Sequence, residues 1–163
     1  MSFPPKSEAF RRRMLNRFAF WVWRWKDLPL AACAGLRLVS LDEGGCTVFL
    51  PGGWRTRNPF RSTYFAAQAM AAEMSTGLVA AVLVQDAPAS VAMLLTEFRA
   101  VYRKRIIGPS YFTFENLADM QAAVEKAAAG PEPHLYVARS IARDANAEVC
   151  SEFAVTWSFK RRS

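Results

Sequence analysis

The feature that most constrains this chain is an apolar stretch over residues 58–83, NPFRSTYFAAQAMAAEMSTGLVAAVL, in which Glu73 is the only charge after Arg61. These residues favour a helix, and the helix is apolar on nearly every face, as is typical of one buried in protein or in a membrane. Gln68 and Ser75 also interrupt the apolar run, and a bilayer accepts such groups poorly. We therefore predict a central buried helix around which the rest of the chain is wrapped.

Glu73 is the candidate functional residue of this helix, because an unpaired buried carboxylate must shift its pKa or find a partner. Positions three, four and seven residues away lie on its face of the helix, and nearly all of them are small. They are Ala66, Ala69, Met70, Gly77 and Ala80. Small side chains leave room for a ligand or for another backbone. The alternative is that Glu73 pairs with an arginine from a neighbouring strand and only stabilises the fold.

Composition indicates one folded domain, since 52% of the 163 residues are hydrophobic and 13% are aromatic, which excludes a disordered chain. The net charge of +7 raises the possibility of nucleic acid. The basic residues, however, form separate clusters at the ends of predicted elements. Such clusters suit a phosphate-bearing small ligand about as well as a polynucleotide, and we predict no nucleic-acid partner.

The cysteines bear on the compartment and on metal binding. Cys33, Cys46 and Cys150 are odd in number and form no CxxC pair, which favours a reducing compartment and argues against a structural zinc site. The first residues lack the apolar segment of a signal peptide. We expect a cytoplasmic protein without a metal.

The first 27 residues are predicted to form an amphipathic helix that starts near Ser7 and runs to about Lys26, followed by a single domain over residues 28–163. Its apolar face comprises Phe10, Met14, Leu15, Phe18, Trp21, Val22 and Trp25. A basic, tryptophan-rich helix can make weak contact with a membrane surface. We favour packing across the domain or its partner, because a folded core follows directly.

The remaining chain reads mostly as antiparallel strands. The Gly44-Gly45 turn predicts a hairpin, Gly108-Pro109 predicts that a long strand folds back on the next one, and Asn116 precedes a short helix. The predicted strands are Leu36–Leu41, Cys46–Leu50, Val91–Ile107, Ser110–Glu115, Leu135–Ala142 and Val149–Lys160, with the short helix at Leu117–Ala129. Six antiparallel strands around one long apolar helix is an α+β layer architecture.

This order of elements resembles the hotdog fold, a curved six-stranded antiparallel sheet wrapped around a long central helix, here with an extra N-terminal helix. Leu36 to Pro51, then Arg57-Asn58, Thr63 to Ala67 and Ala72-Glu73 are similar to the thioesterase-like proteins of the DUF4442 family, relatives of the PaaI and 4-hydroxybenzoyl-CoA thioesterases. The resemblance covers about residues 28–160. Its motif is a loop asparagine, a helix start and a helical carboxylate nine residues beyond the usual position of His-Gly-Gly.

The resemblance implies an acyl-CoA thioesterase-like hydrolase, with an acyl-CoA or acyl-carrier thioester as substrate. It implies no cofactor, since coenzyme A enters as part of the substrate. Glu73 would act as general base or nucleophile, and Asn58 would orient water or the carbonyl. Tyr64, Phe65, Ala66, Arg57 and Arg61 would bind substrate, with backbone N–H groups near Phe65 and Ala66 polarising the thioester carbonyl. The implied assembly is a homodimer or a dimer of dimers with the site at its interface.

The sequence departs from the family pattern at the helix start, where Tyr64-Phe65-Ala66 replaces His-Gly-Gly. This favours, as the alternative function, a non-catalytic hotdog protein that binds an acyl chain or lipid. The only histidine, His134, reads as an ordinary loop residue, which argues against a hotdog dehydratase, because those enzymes need a catalytic histidine.

Overall fold

The computed structural model describes residues 3–162; Met1, Ser2 and Ser163, which belong to the predicted ranges 1–27 and 28–163, lie outside the described residues. The helices in this part of the chain are α1 (Pro5–Leu15), α2 (Arg17–Asp27), α3 (Pro29–Ala34), α4 (Phe65–Leu83) and α5 (Leu117–Ala129). The strands are β1 (Arg37–Asp42), β2 (Gly45–Leu50), β3 (Val91–Tyr102), β4 (Ser110–Phe114), β5 (His134–Asp144) and β6 (Val149–Arg161). Short 3-10 turns cover Trp54–Thr56 and Val84–Asp86.

The six strands form one antiparallel sheet in the order β1-β2-β4-β5-β6-β3. This confirms the predicted sheet around a long helix, but the pairing predicted for β3 is wrong, because β3 pairs with β6 and not with β4. The backbone N–H groups of Arg103 and Lys104 donate to Cys150 O and so keep the end of β3 on β6. Ile106 O then accepts from Thr63 N at 2.8 Å, which carries the chain past the start of α4 before β4 begins.

The central helix α4 is buried along most of its length, as predicted, and eleven of its residues are buried. The segment Phe65–Asp86 is long and apolar enough to span a membrane, but 61% of its most apolar window is buried inside this protein. The uncharged polar side chains of Gln68 and Ser75 have hydrogen-bond partners inside the fold. Ser75 Oγ lies 2.8 Å from Ser140 Oγ, and Gln68 Oε1 accepts from Ser151 Oγ at 2.9 Å, so the interruptions of the apolar run cost little.

The N-terminal segment is two helices, where the sequence predicts one. Asn16 has extended backbone angles and caps α2, and its side chain accepts from the N–H groups of Phe18 and Ala19. The break restarts the helical phase, so that Phe20 and Arg24 of α2 are buried. The apolar face predicted to pack on the domain is therefore largely exposed in α2: Phe18 74%, Trp21 51%, Val22 41% and Trp25 47%.

Candidate functional site

The loop before α4 is organised by Asn58. Its Oδ1 accepts from Phe60 N at 3.0 Å, from Ser62 N at 3.1 Å and from Ser62 Oγ at 3.2 Å. The neighbouring Arg61 has a φ of 60°, a left-handed conformation that such a turn must hold in place. The side-chain oxygen of Asn58 thus accepts hydrogen bonds from its own loop and holds the conformation of that loop. Within the single chain, Asn58 is a positioning residue.

Helix α4 begins at Phe65, and Tyr64 is its N-cap without a side-chain cap. Tyr64 O accepts from Ala67 N and Gln68 N. Within residues 3–162, the N–H groups of Phe65 and Ala66 have no hydrogen-bond acceptor. Free N–H groups at the positive end of a helix are donors that a carbonyl oxygen can use.

A cleft of about 510 Å³ opens beside this helix start, between the Asn58 loop and the segment that follows β3. It brings together Asn58, Tyr64 and Phe65 from the predicted site with three basic residues at the end of β3, Arg103, Lys104 and Arg105. The sequence predicts that basic clusters at strand ends line the mouth of the cleft, where a phosphate could bind. Which loop this cluster faces depends on the path of residues 103–109 past α4, which is a tertiary feature.

The cations of the cleft differ in how far they are already paired. Arg103 Nε lies 2.7 Å from Glu152 Oε1, and Lys104 is ion-paired with Glu148. Arg105 has no carboxylate partner in the part of the chain that the structure describes, and it is exposed. It is therefore the cation of this cleft that is free to meet an anionic ligand.

Glu73 lies two turns further along α4 and is half-buried. Gly77 allows this position: a Cβ there would stand 2.8 Å from Glu73 Oε1 and 3.2 Å from Trp157 Cζ2. The small residue at position 77 predicts room for a ligand or a backbone, but the side chains of Glu73 and Trp157 occupy this space. Trp157 Nε1 donates to Thr76 Oγ1 at 3.0 Å, and Thr76 Oγ1 donates to Glu73 O at 3.0 Å, so ring and helix are fixed relative to each other.

The carboxylate of Glu73 has no ion pair and no hydrogen-bond partner among residues 3–162. The arginine that the structural alternative requires is thus missing from the described chain. Burial raises the pKa of Glu73 above its ordinary value, because the charged form loses solvation without gaining a counter-charge.

The small-residue face around Glu73 is only partly open. Ala66, Ala69, Met70 and Gly77 are partly accessible, as Glu73 is, whereas Ala80 is fully buried. The open part of this face therefore ends near Gly77.

The predicted site residues are only partly brought together within one chain. Glu73 and Ala66 do not line the cleft, and the exposed Arg57 and Arg61 are not among its lining residues either. Glu73 lies eight residues beyond Phe65, about 12 Å along the helix axis at ~1.5 Å per residue. About two turns of helix thus separate the free N–H groups from the residue that carries the carboxylate. His134, expected in a loop, is instead the first residue of β5 and pairs with Phe159.

The sequence matches a family model described as "Domain of unknown function (DUF4442)" over residues 19–158. The chain belongs to the DUF4442 family. The match covers most of the chain and includes residues 19–27 of α2. No curated protein sequence matches with significance.

Solved structures share the fold of this DUF4442 protein. A probable thioesterase from Pseudomonas aeruginosa has a TM-score of 0.68 at 20% identity, covering 98% of this chain and 99% of its own. Thioesterase HI1161 from Haemophilus influenzae has a TM-score of 0.61 at 12% identity, covering 86% and 88%. A mutant of a Staphylococcus aureus thioesterase has a TM-score of 0.60 at 12% identity, covering 81% and 98%. The sheet and its central helix are thus the predicted hotdog fold.

The described residues of this DUF4442 protein include no group of three or more histidine, cysteine, aspartate or glutamate side chains placed to hold a metal ion. Glu73 is the ionisable group of the central helix, with the basic cleft at the helix start. The acidic and the basic parts of the candidate site are therefore separate features of one chain.

Proposed function

We propose that this protein is an acyl-CoA thioesterase-like hydrolase in which Glu73 is the general base. The observation that carries the proposal is a half-buried carboxylate without a partner, on the open small-residue face of the central helix. Its raised pKa suits a base, because proton transfer is most efficient when the pKa approaches the working pH. The shared fold with proteins described as thioesterases supports the same reaction class.

In the proposed reaction, the Glu73 carboxylate removes a proton from water as the water oxygen attacks the thioester carbonyl carbon. The carbonyl oxygen takes up negative charge, which the free N–H groups of Phe65 and Ala66 would stabilise. Collapse of the tetrahedral intermediate breaks the C–S bond. The proton held by Glu73 passes to the departing thiolate, which gives a carboxylic acid, a free thiol and the starting carboxylate. Glu73 as nucleophile, through an anhydride that water then opens, is the alternative route.

The rise of about 12 Å along the helix between Phe65 and Glu73 favours a site in which the N–H donors and the carboxylate come from two chains. We propose a homodimer, in which Glu73 of one copy faces the cleft of the other across a two-fold axis. Strand β3 supports this assembly: it is 12 residues long and pairs only with β6 in the described sheet. An open edge of that length invites pairing with another strand, and Leu94 and Val101 on it are 65% and 52% exposed.

The basic side of the cleft supports coenzyme A as the thiol carrier. Phosphate groups bind guanidinium and ammonium groups through charge-assisted hydrogen bonds, and Arg103, Lys104 and Arg105 lie together on one wall. Arg105 has no carboxylate partner among residues 3–162, so it is the member we expect to meet a nucleotide phosphate. An acyl chain on a carrier protein would reach the same cleft through its phosphopantetheine phosphate.

A non-catalytic acyl-binding protein is the second candidate function. The side chain of Phe65, 55% exposed at the helix start, stands where relatives often have glycine, and it packs edge-on against Tyr64 with 4.7 Å between ring centroids. Bulk at this position favours binding of an acyl chain over close approach of its carbonyl group to the N–H donors.

The deciding experiment is a thiol-release assay with acyl-CoAs of short, long and aromatic acyl groups, on the wild type, Glu73→Gln and the exposed control Glu132→Gln. We expect wild type and Glu132→Gln to release thiol at equal rates and Glu73→Gln to lose about 10²- to 10⁴-fold in kcat, the range of general-base catalysis. Turnover that survives Glu73→Gln would sink the assignment. Acyl-CoA that binds to the wild type without turnover would establish the second function.

A further inference from the structure

A second cavity lies on the opposite face of the sheet from α4. Phe49 and Tyr111 occupy this outer face, because their alternate neighbours Val48, Leu50 and Phe112 are buried in the core. Residues of α2 and of the strands β1, β2 and β4 together line a groove of about 650 Å³ at the β1 edge of the sheet. We call it the outer groove; its walls include Phe20, Trp21 and Arg24 of α2 and Arg37, Phe49 and Tyr111 of the strands.

The charged groups that line the outer groove are all cationic. Arg17, Arg24 and Arg37 face it, and none of its lining residues is acidic. No ion pair to these three arginines exists among residues 3–162. A cluster of like charges without counter-charge is unfavourable. The described chain supplies no anion that would neutralise the three arginines of the groove.

Arg24 is the most constrained of the three. Its side chain is only 9% exposed, one terminal N–H donates to Leu36 O, and the guanidinium lies 5.0 Å from the centre of the Phe20 ring. Its Nε, however, is buried without a hydrogen-bond partner. A buried donor that is left unsatisfied costs free energy, and a buried cation without an anion costs more.

The pKa of Arg24 is lowered, first by burial and then by the charge of Arg37. Arg37 itself lies over the Phe49 ring, 5.9 Å from its centre, so an aromatic face orients each of the two guanidinium groups. Stacked guanidinium groups keep their N–H edges available for a planar or tetrahedral anion.

The rest of the lining is apolar and exceeds what a small ion would need. Met14, Leu15, Leu38 and Val39 line the groove together with the aromatic rings. A free phosphate or a nucleotide would leave Leu15 and Val39, which are 36% and 52% exposed, in contact with water, whereas an alkyl chain would cover them. The volume of the groove falls within the range of small-molecule sites, ~300–1,000 Å³.

We propose that the outer groove binds a single-chain anionic amphiphile, with its head group on Arg24 and Arg37 and its alkyl chain along the apolar wall. A free fatty acid and an alkyl phosphate share this chemistry. The site is separate from Glu73 and from the cleft at the start of α4, and it does not depend on the proposed hydrolase activity.

The experiment is a calorimetric titration of the full chain with laurate, dodecyl phosphate and uncharged 1-dodecanol, each below its aggregation threshold. We expect the two anions to bind and dodecanol to bind at least about ten-fold more weakly, since a charge-assisted contact is lost. Equal binding of dodecanol would overturn the proposed role of the arginines.

Substitutions at two exposed positions of the groove test where the ligand binds. Arg37→Gln removes one cation and should weaken laurate binding by about ten-fold or more. Val39→Trp fills the groove from a position that is 52% exposed and should abolish binding. Arg24→Met should also abolish it, but loss of the bond to Leu36 O can impair folding. The control Arg13→Gln removes an exposed α1 cation outside the groove and should bind as the wild type does.

A vesicle-binding experiment distinguishes a soluble ligand from a membrane surface as the partner of the groove. The distinction is needed because the exposed Phe18 and Trp25 of α2 could also enter a bilayer. We expect laurate to bind whether or not phosphatidylglycerol vesicles are present. Binding to phosphatidylglycerol vesicles without any laurate binding would overturn the proposal in favour of membrane attachment. Unchanged laurate binding in Arg37→Gln and Val39→Trp would place the ligand elsewhere and would also overturn it.

Discussion

The carboxylate of Glu73 lies over Gly77, one turn further along the central helix, where a Cβ would stand 2.8 Å from Glu73 Oε1. The same absent Cβ would be 3.2 Å from Trp157 Cζ2, so the glycine holds space for a flexible carboxylate and a fixed ring together. The position of the proposed base is thus set by a residue that has no functional group of its own.

Gly77→Ala tests this relationship. Alanine favours the helix by about 1 kcal/mol, while the crowding against Trp157 opposes it, so we expect the free energy of unfolding to change by less than about 1 kcal/mol. The carboxylate must move, and a displacement of about 1 Å can lower the rate by ~10²-fold. Urea unfolding and thiol release measure the two effects. Gly130→Ala is the control, since a Cβ there meets nothing within 4 Å; a rate for Gly77→Ala equal to that of this control would refute the positioning role.

Glu73→Gln should change the dependence of stability on pH. The pKa of Glu73 is raised in the folded protein, so the folded state binds the proton more tightly than the unfolded state does. Protonation of Glu73 therefore stabilises the folded state. This stabilisation is fully present below the pKa of the unfolded state, near 4.3, and is lost as pH rises through the pKa of the folded state.

We therefore expect Glu73→Gln to be more stable than the wild type at pH values above the folded-state pKa of Glu73. The difference in the free energy of unfolding should shrink as pH falls toward 4. Urea unfolding at a series of pH values, with Glu132→Gln alongside, measures this. A variant less stable than the wild type at pH 8 would show that Glu73 has a stabilising partner.

Two substitutions of Asn58 test whether this residue positions its loop or takes part in the reaction. Asn58→Ala removes the acceptor of three hydrogen bonds and should cost about 1–3 kcal/mol of stability, with reduced thiol release. Asn58→Asp retains the acceptor oxygen and suits the same turn, so both properties should recover. If Asn58→Asp folds like the wild type but stays inactive, the amide N–H group itself takes part in the reaction.

Arg105→Gln should separate recognition of the carrier from the reaction at the thioester. We expect KM for an acyl-CoA to rise about ten-fold, as for the loss of one charge-assisted contact, with little change in kcat. Hydrolysis of the matched acyl-N-acetylcysteamine thioester, which carries no phosphate, should be unaffected. Arg13→Gln serves as the charge-matched control on the distant α1. Equal effects on both substrates would exclude a phosphate contact.

Mixing two impaired variants, Glu73→Ala and Asn58→Ala, tests the shared site. In a two-fold dimer of one Glu73→Ala chain and one Asn58→Ala chain, one of the two sites has both residues intact. After random exchange, half of the dimers are mixed, so about a quarter of wild-type activity should return. Activity that stays at the level of the separate variants, with subunit exchange shown by mass, would place Glu73 and Asn58 in the same chain's site or in none.

The sequence by itself determined the elements that depend on local pattern. The apolar run 58–83 specified a buried helix, the alternation over Val149–Lys160 specified a strand now seen as β6, and Leu117–Ala129 has the predicted bounds of α5. These succeed because hydrophobic periodicity and turn residues act over a few neighbouring positions. The lone charge of the helix also marked Glu73 without any tertiary information.

The tertiary structure alone decided which distant segments meet. The end of β3 pairs with β6, and not with its neighbour in sequence, because backbone hydrogen bonds to Cys150 and Thr63 direct the chain past α4. The missing partner of Glu73, the place of Trp157 beside Gly77 and the outward turn of the α2 face after Asn16 follow from packing between residues far apart in the chain. Local propensity cannot encode such contacts, since each is chosen by the burial and hydrogen bonding of the whole fold.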